Sequence, residues 1–160
     1  MSILSQLLKR KSRAIVSIAD GKIMHLENIP DYAFSHCLIG DGLAVEINSN
    51  QIYAPCHGIV HMIASTKHAF IITLDNDTQV LIHIGLDQKK NNFENFHYHI
   101  QVGDYVTPET LILTLSEEFL KKHHYQVIIP IIILNYQEHS IQTMTTSSYV
   151  KRGEKILTCK

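Results

Sequence analysis

Two runs rich in β-formers, Thr66 to Leu74 and Gln79 to Asp87, flank the polar cluster Asp75-Asn76-Asp77-Thr78. That arrangement constrains the chain more than any other feature, because strand formers on both sides of turn formers predict an antiparallel hairpin. Closing the hairpin symmetrically over Asp75-Asn76 pairs Ile71 with Val80, Phe70 with Leu81, Ala69 with Ile82, Thr73 with Thr78 and His68 with His83. Directly opposed residues have Cβ atoms roughly 4.5–5.5 Å apart, close enough for two imidazoles to share one small ligand. In this register Phe70 and Leu81 lie on the histidines' face. A slip of one residue would send the two histidines to opposite faces.

The rest of the chain has the same rhythm. From Ala14 onward, turn signals separate short apolar runs: Ala14 to Ala19, Lys22 to Glu27, Leu43 to Asn48, Gln51 to Ala54, Ile59 to Ser65, His99 to Val102, Thr110 to Leu115, Gln126 to Leu134, Ile141 to Thr145 and Lys155 to Cys159. Glu117 to His124 reads as a helix, and Ile29 to His36 as a short turn of one. The expected fold is all-β, an antiparallel sandwich or barrel with one or two short helices.

At 160 residues and 45% hydrophobic content, the chain forms one domain with a real core. Residues 1–13 stand apart as a basic tail, with Lys9, Arg10, Lys11 and Arg13 following Ile3, Leu4, Leu7 and Leu8 at helical spacing. Two readings stay open for the tail: an amphipathic helix making peripheral contact with anionic lipid, or a frayed end with solvated charges. Residues 14–160 form the folded domain, which is mildly acidic. Nothing in it suggests the basic face of a nucleic-acid binder. No apolar run approaches the roughly 20 residues that span a bilayer, and the start lacks a secretory cleavage pattern, so the protein is expected to be cytoplasmic. Cys37, Cys56 and Cys159 are odd in number and widely spaced, and read as reduced thiols or core residues.

A weak internal repeat runs through the chain. Ile18-Ala19-Asp20-Gly21-Lys22-Ile23 is echoed by Ala54-Pro55-Cys56-His57-Gly58-Ile59-Val60, and Val102-Gly103-Asp104-Tyr105-Val106 by Val150-Lys151-Arg152-Gly153-Glu154-Lys155-Ile156. Such similarity points to a duplicated supersecondary unit, with glycine supplying a positive φ at each turn.

Together with the hairpin, six motifs in order resemble the glucose-family IIA component of the bacterial phosphoenolpyruvate-dependent sugar phosphotransferase system. They are Ile29-Pro30-Asp31-Tyr32-Ala33-Phe34, Gly40-Asp41-Gly42-Leu43-Ala44-Val45, Ala54-Pro55 with Gly58, Thr66-Lys67-His68-Ala69-Phe70, Val80-Leu81-Ile82-His83-Ile84-Gly85-Leu86-Asp87 and Val102-Gly103-Asp104. The resemblance spans roughly residues 15 to 159. It implies a β-sandwich of duplicated hybrid-motif type, with no cofactor. His83 would take a phosphoryl group from the histidine-containing phosphocarrier protein. His68 would help to hold the group and Thr66 would orient it. The group would pass to a cysteine of the IIB domain of a membrane sugar permease. Asp31, Phe34 and Asp87 match positions at the partner-docking rim, and Phe70 and Leu81 would form an apolar collar. The family's unphosphorylated form can also restrain other proteins through the same face, which implies a regulatory role beside the carrier role. Two departures bear on partner choice: Leu81 replaces the familiar aromatic, and Gln88 to Phe96 contains no glycine.

The residue types support this chemistry on their own. Neutral imidazole keeps a nucleophilic lone pair near pH 7, where lysine is protonated, and it can form a transient bond to phosphorus. A second imidazole can donate a hydrogen bond to the phosphoryl oxygens. The competing reading is a lysostaphin-like zinc metallopeptidase, because His83-Ile84-Gly85-Leu86-Asp87 mimics a His-x-x-x-Asp ligand pair and His97-Tyr98-His99 a His-x-His pair. His83, Asp87 and His99 with water would complete a catalytic zinc site. The short Gln88 to Phe96 spacer and the lack of a glycine- and serine-rich segment beside the second motif weigh against it.

Overall fold

The computed structural model describes residues 13–86 and 93–160. In chain order the strands are β1 (Arg13–Val16), β2 (Gly21–His25), β3 (Asp41–Ile47), β4 (Gln51–Tyr53), β5 (Gly58–Ile63), β6 (Ala69–Thr73), β7 (Gln79–His83), β8 (Phe96–Tyr98), β9 (Tyr105–Val106), β10 (Leu111–Leu115), β11 (Val127–Ile133), β12 (Ile141–Met144), β13 (Tyr149–Val150) and β14 (Lys155–Cys159). Two short helices interrupt them, α1 (Tyr32–Ser35) and α2 (Glu117–Lys122). The expected all-β class therefore holds.

The strands form an eight-stranded sheet, ordered β13-β2-β3-β11-β7-β6-β5-β9, and two three-stranded sheets, β1-β14-β12 and β4-β10-β8. Every pairing is antiparallel. The central strand β11 contains Pro130, which has no N–H to give to a ladder. Its pairing to β7 accordingly begins one residue later, at Ile131 opposite Ile82. The main core lies between the sheets and includes Phe70, Ile72, Ile82, Phe96, Ile112, Phe119 and Ile131. A second apolar layer covers the outer face of the large sheet, where Leu26, Ile29 and Phe34 pack on Ala44, Ala69, Leu81 and Ile132. This layer is what gives His83 a dry neighbourhood.

The hairpin forms with its register one residue away from the expectation. Ile72, not Ile71, opposes Val80; Ile71 opposes Leu81, Phe70 opposes Ile82 and Ala69 opposes His83. The reason is the turn. Asp77 N–H donates to the Leu74 carbonyl at 3.1 Å, Leu74 N–H donates to Thr78, and Asp77 takes φ +67°. The loop therefore has three residues ending in the left-handed region, which Asp tolerates better than most residues.

The repeat is visible as two matching turns. Gln101 to Asp104 and Lys151 to Glu154 each close with a backbone bond between their end residues, at 3.1 and 3.0 Å. Gly103 (φ +95°) and Gly153 (φ +82°) sit at the third position, as a type II turn requires. In each turn the closing acid accepts from the first residue's N–H: Asp104 from Gln101 and Glu154 from Lys151. Gly21 and Gly58 behave differently from the expectation. They open β2 and β5 where a Cβ would lie 2.4 Å from the carbonyl oxygens of Glu46 and Thr73, so close strand approach rather than a positive φ requires glycine there.

Other boundaries move as well. Arg13 belongs to the domain, pairing with Cys159 in β1 and making a two-pronged ion pair with Asp75 at 2.6 and 2.9 Å. The rest of the tail, residues 1–12, lies outside the described residues. The strand expected over His99 to Val102 is instead Phe96–Tyr98. Helix α2 starts as its sequence suggests, with Ser116 accepting from Phe119 N–H at the N-cap. It ends early, because His124 and Tyr125 take φ +53° and +55°.

Candidate functional site

His83 is the last residue of β7, and its side chain projects to the outer face of the large sheet, the side that carries Leu81 and Ala69. The opposing residue on β6 is the small Ala69. The imidazole is 6% exposed. Phe34 of α1 packs against it edge to face, with centroids 5.1 Å apart at 70°. Asp31 sets that contact by capping α1, its carboxylate accepting from Phe34 N–H at 3.1 Å.

The imidazole of His83 is oriented by the backbone two residues on. Its Nδ1 lies 2.6 Å from the Gly85 carbonyl. A carbonyl can only accept, so Nδ1 carries the proton and Nε2 carries the lone pair. Gly85 holds that carbonyl in place at φ +77°, a conformation glycine adopts without strain. Burial pushes the His83 ionisation below the usual imidazole range. Nearby His68 pushes the same way, while the Gly85 carbonyl and Asp31 oppose the shift. The net effect favours the neutral ring.

His68 reaches the same spot from a different kind of backbone. It lies in the loop between β5 and β6, outside either strand. The Ile84 N–H donates to its carbonyl at 2.7 Å. Strand alternation does not govern a loop residue, so the one-residue slip leaves the two rings together, 5.0 Å apart at 71°. The Nδ1 of His68 is hydrogen-bonded to the Thr66 hydroxyl. His68 is half-buried, and burial lowers its ionisation as well. Thr66 itself is exposed.

The remaining expected residues divide. Leu81 is on the histidines' face, 8% exposed within the second apolar layer. Phe70 is not, because the slipped register turns it into the main core with no exposed surface. Its contact is an edge-to-face packing on Tyr98. Asp87 lies outside the described residues. The segment that carries Phe34 presents Tyr32, Leu38 and Ile39, all exposed. Gly85 was legible as a glycine two residues after a strand-end histidine, whereas nothing in the sequence marked Tyr98.

The metallopeptidase alternative finds no support. Among the described residues no three His, Cys, Asp or Glu side chains are grouped to hold a metal. His99 Nε2 is bonded to the Thr114 hydroxyl at 2.7 Å and its ring packs on His97.

Residues 13–139 match the family model described as phosphoenolpyruvate-dependent sugar phosphotransferase system, EIIA 1. The PTS system glucose-specific EIIA component of Borreliella burgdorferi is 31% identical over 140 residues, covering 88% of this chain and 74% of that protein. The solved glucose permease IIA from Mycoplasma capricolum has the same fold, with a TM-score of 0.83 at 26% identity, covering 93% of this chain and 96% of that one. No helix among the described residues is long and apolar enough to cross a membrane. The chain therefore belongs to the EIIA 1 family of the sugar phosphotransferase system, the family that its histidine hairpin resembles.

Proposed function

We propose that this protein is a phosphoryl carrier, loaded on His83 by the histidine-containing phosphocarrier protein and unloaded onto a IIB cysteine of a membrane sugar permease. The relatives' names point to glucose or a close analogue as the sugar. The observation that carries the reading is the tautomer of His83, whose Nδ1–H donates to the Gly85 carbonyl and so puts the ring's lone pair on Nε2.

In the loading step the Nε2 lone pair forms a bond to phosphorus as the phosphorus–nitrogen bond to the carrier's imidazole breaks. The positive charge that develops on the ring is spread toward the Gly85 carbonyl. In the unloading step a IIB thiolate attacks phosphorus, and Nε2 leaves with its electron pair as neutral imidazole. Phosphoryl transfer asks the protein mainly for positioning and charge stabilisation. With the Thr66 hydroxyl as donor to Nδ1, His68 carries its proton on Nε2 and can donate it to a phosphoryl oxygen. The second apolar layer around Phe34 and Leu81 excludes water that would hydrolyse the phosphohistidine. Asp31 and the exposed Tyr32, Leu38 and Ile39 serve as the docking rim, as does Asp87 on the strength of the family motif.

Incubation with phosphoenolpyruvate, enzyme I and the phosphocarrier should give an acid-labile modification of the protein. Labelling that survives His83→Ala would overturn the assignment.

A further inference from the structure

The loop that presents His68 is held from the opposite sheet. Thr66, Lys67 and His68 follow one another, with Lys67 in the left-handed region at φ +61°. Lys67 N–H closes the turn onto the Ala64 carbonyl at 2.7 Å, and the Lys67 carbonyl accepts from the Tyr98 hydroxyl at 2.8 Å. Tyr98 comes from β8, in the small sheet β4-β10-β8, whereas the loop joins β5 to β6 of the large sheet. The ring of Tyr98 is seated by its edge-to-face contact with the fully buried Phe70, centroids 6.0 Å apart. One hydroxyl thus links a rigid strand to the residue between the two groups proposed to handle the phosphoryl oxygens.

A non-glycine residue at positive φ persists only where its surroundings hold it. For Lys67 those surroundings are the Ala64 bond and the Tyr98 bond. We infer that Tyr98 is a positioning residue for phosphoryl transfer, setting the direction of the His68 imidazole through the Lys67 carbonyl. This inference rests on the carrier reading above. It assigns Tyr98 an effect on the step that uses His68 and none on the nucleophile, because His83 is oriented separately by Gly85.

The test is Tyr98→Phe, which removes the hydroxyl and keeps the ring on Phe70, with a thermal melt to show that the variant is folded. Loading by the phosphocarrier should stay within about twofold of the parent. Transfer to the IIB domain should slow about fivefold, the loss expected of one ordinary hydrogen bond. In a His68→Ala background the same substitution should add almost nothing, since both act through one group. Independently of any transfer assay, the His68 ring followed by NMR titration should ionise closer to the ordinary imidazole value in Tyr98→Phe, by more than any shift seen at His83. Equal slowing of loading and unloading, full additivity with His68→Ala, or an unmoved His68 titration would each overturn the positioning role. Failure of the parent protein to become labelled would instead count against the carrier reading, and the NMR titration would still decide the link from Tyr98 to His68.

Discussion

His68 and His83 meet edge to face with ring centroids 5.0 Å apart, and His97 and His99 do the same at 4.8 Å. The ring geometry of the two pairs is nearly identical, yet their surroundings differ at every other level. His97 lies in β8 and His99 just past its end, two residues apart on backbone that still pairs through the His99 N–H to the Ile112 carbonyl at 2.9 Å, and both are exposed. His68 and His83 come from a loop and a strand end 15 positions apart, with His83 buried against Phe34 and His68 half-buried. Each ring of this pair is oriented by its own partner, Gly85 for His83 and Thr66 for His68. Two adjacent imidazoles are therefore not a site in themselves. What sets the proposed site apart is burial that favours neutral rings and a hydrogen-bond partner for the Nδ1 of each ring.

The largest effect that could break this contrast is on labelling. His83→Ala should abolish phosphoryl acceptance, while the double variant His97→Ala, His99→Ala should be labelled within about twofold of the parent. The next is the split between His68 and His83. A charge-assisted hydrogen bond contributes about 1.5–3 kcal/mol, so His68→Ala should slow transfer to the IIB domain roughly 10- to 100-fold and leave loading much closer to normal. Rapid-quench measurement of the two half-reactions separates these outcomes.

Smaller still is the effect of pH. Both rings have their ionisation depressed below the ordinary imidazole value of about 6.5. Between the folded values and 6.5 the unfolded chain binds more protons, so the stability that these rings contribute is complete above 6.5 and is lost as pH falls toward the folded values. Denaturant melts at pH 7.5 and 5.5, chosen as about one unit either side of that value, should show a drop that shrinks in His83→Gln. Loading should likewise be flat above neutrality and decline only in the acid range, where Nε2 becomes protonated. The smallest effect is Gly85→Ala. Among the described residues an added Cβ meets the far end of Phe119 at 3.7 Å, an ordinary contact, so the cost comes from the backbone at φ +77°, about 1–2 kcal/mol. A shift of the urea midpoint measures it.

Much of this fold could be read from the sequence because its signals are local. The alternation of apolar runs and turn residues identified most of the longer strands, and the turns around Gly103 and Gly153 recur as the repeat suggested. The two-residue strands β9 and β13 were not legible, since two residues show no periodicity. The hairpin shows the same limit at the site. Whether its turn holds two residues or three depends on Asp77 adopting a left-handed conformation, and that choice moved Phe70 into the core. The two histidine rings still meet because His68 is a loop residue, outside the alternation of β6. Tyr98 was invisible for the opposite reason, because its contact with Lys67 spans 31 positions and joins two sheets.

The central claim is that the Gly85 carbonyl makes Nε2 of His83 the phosphoryl acceptor. Phosphorus NMR of the loaded, nitrogen-labelled protein tests it directly, through the coupling between phosphorus and the ring nitrogen. The expected result is a single phosphohistidine at His83 bonded through Nε2. A phosphoryl group on Nδ1 of His83, or on any other histidine, would contradict it.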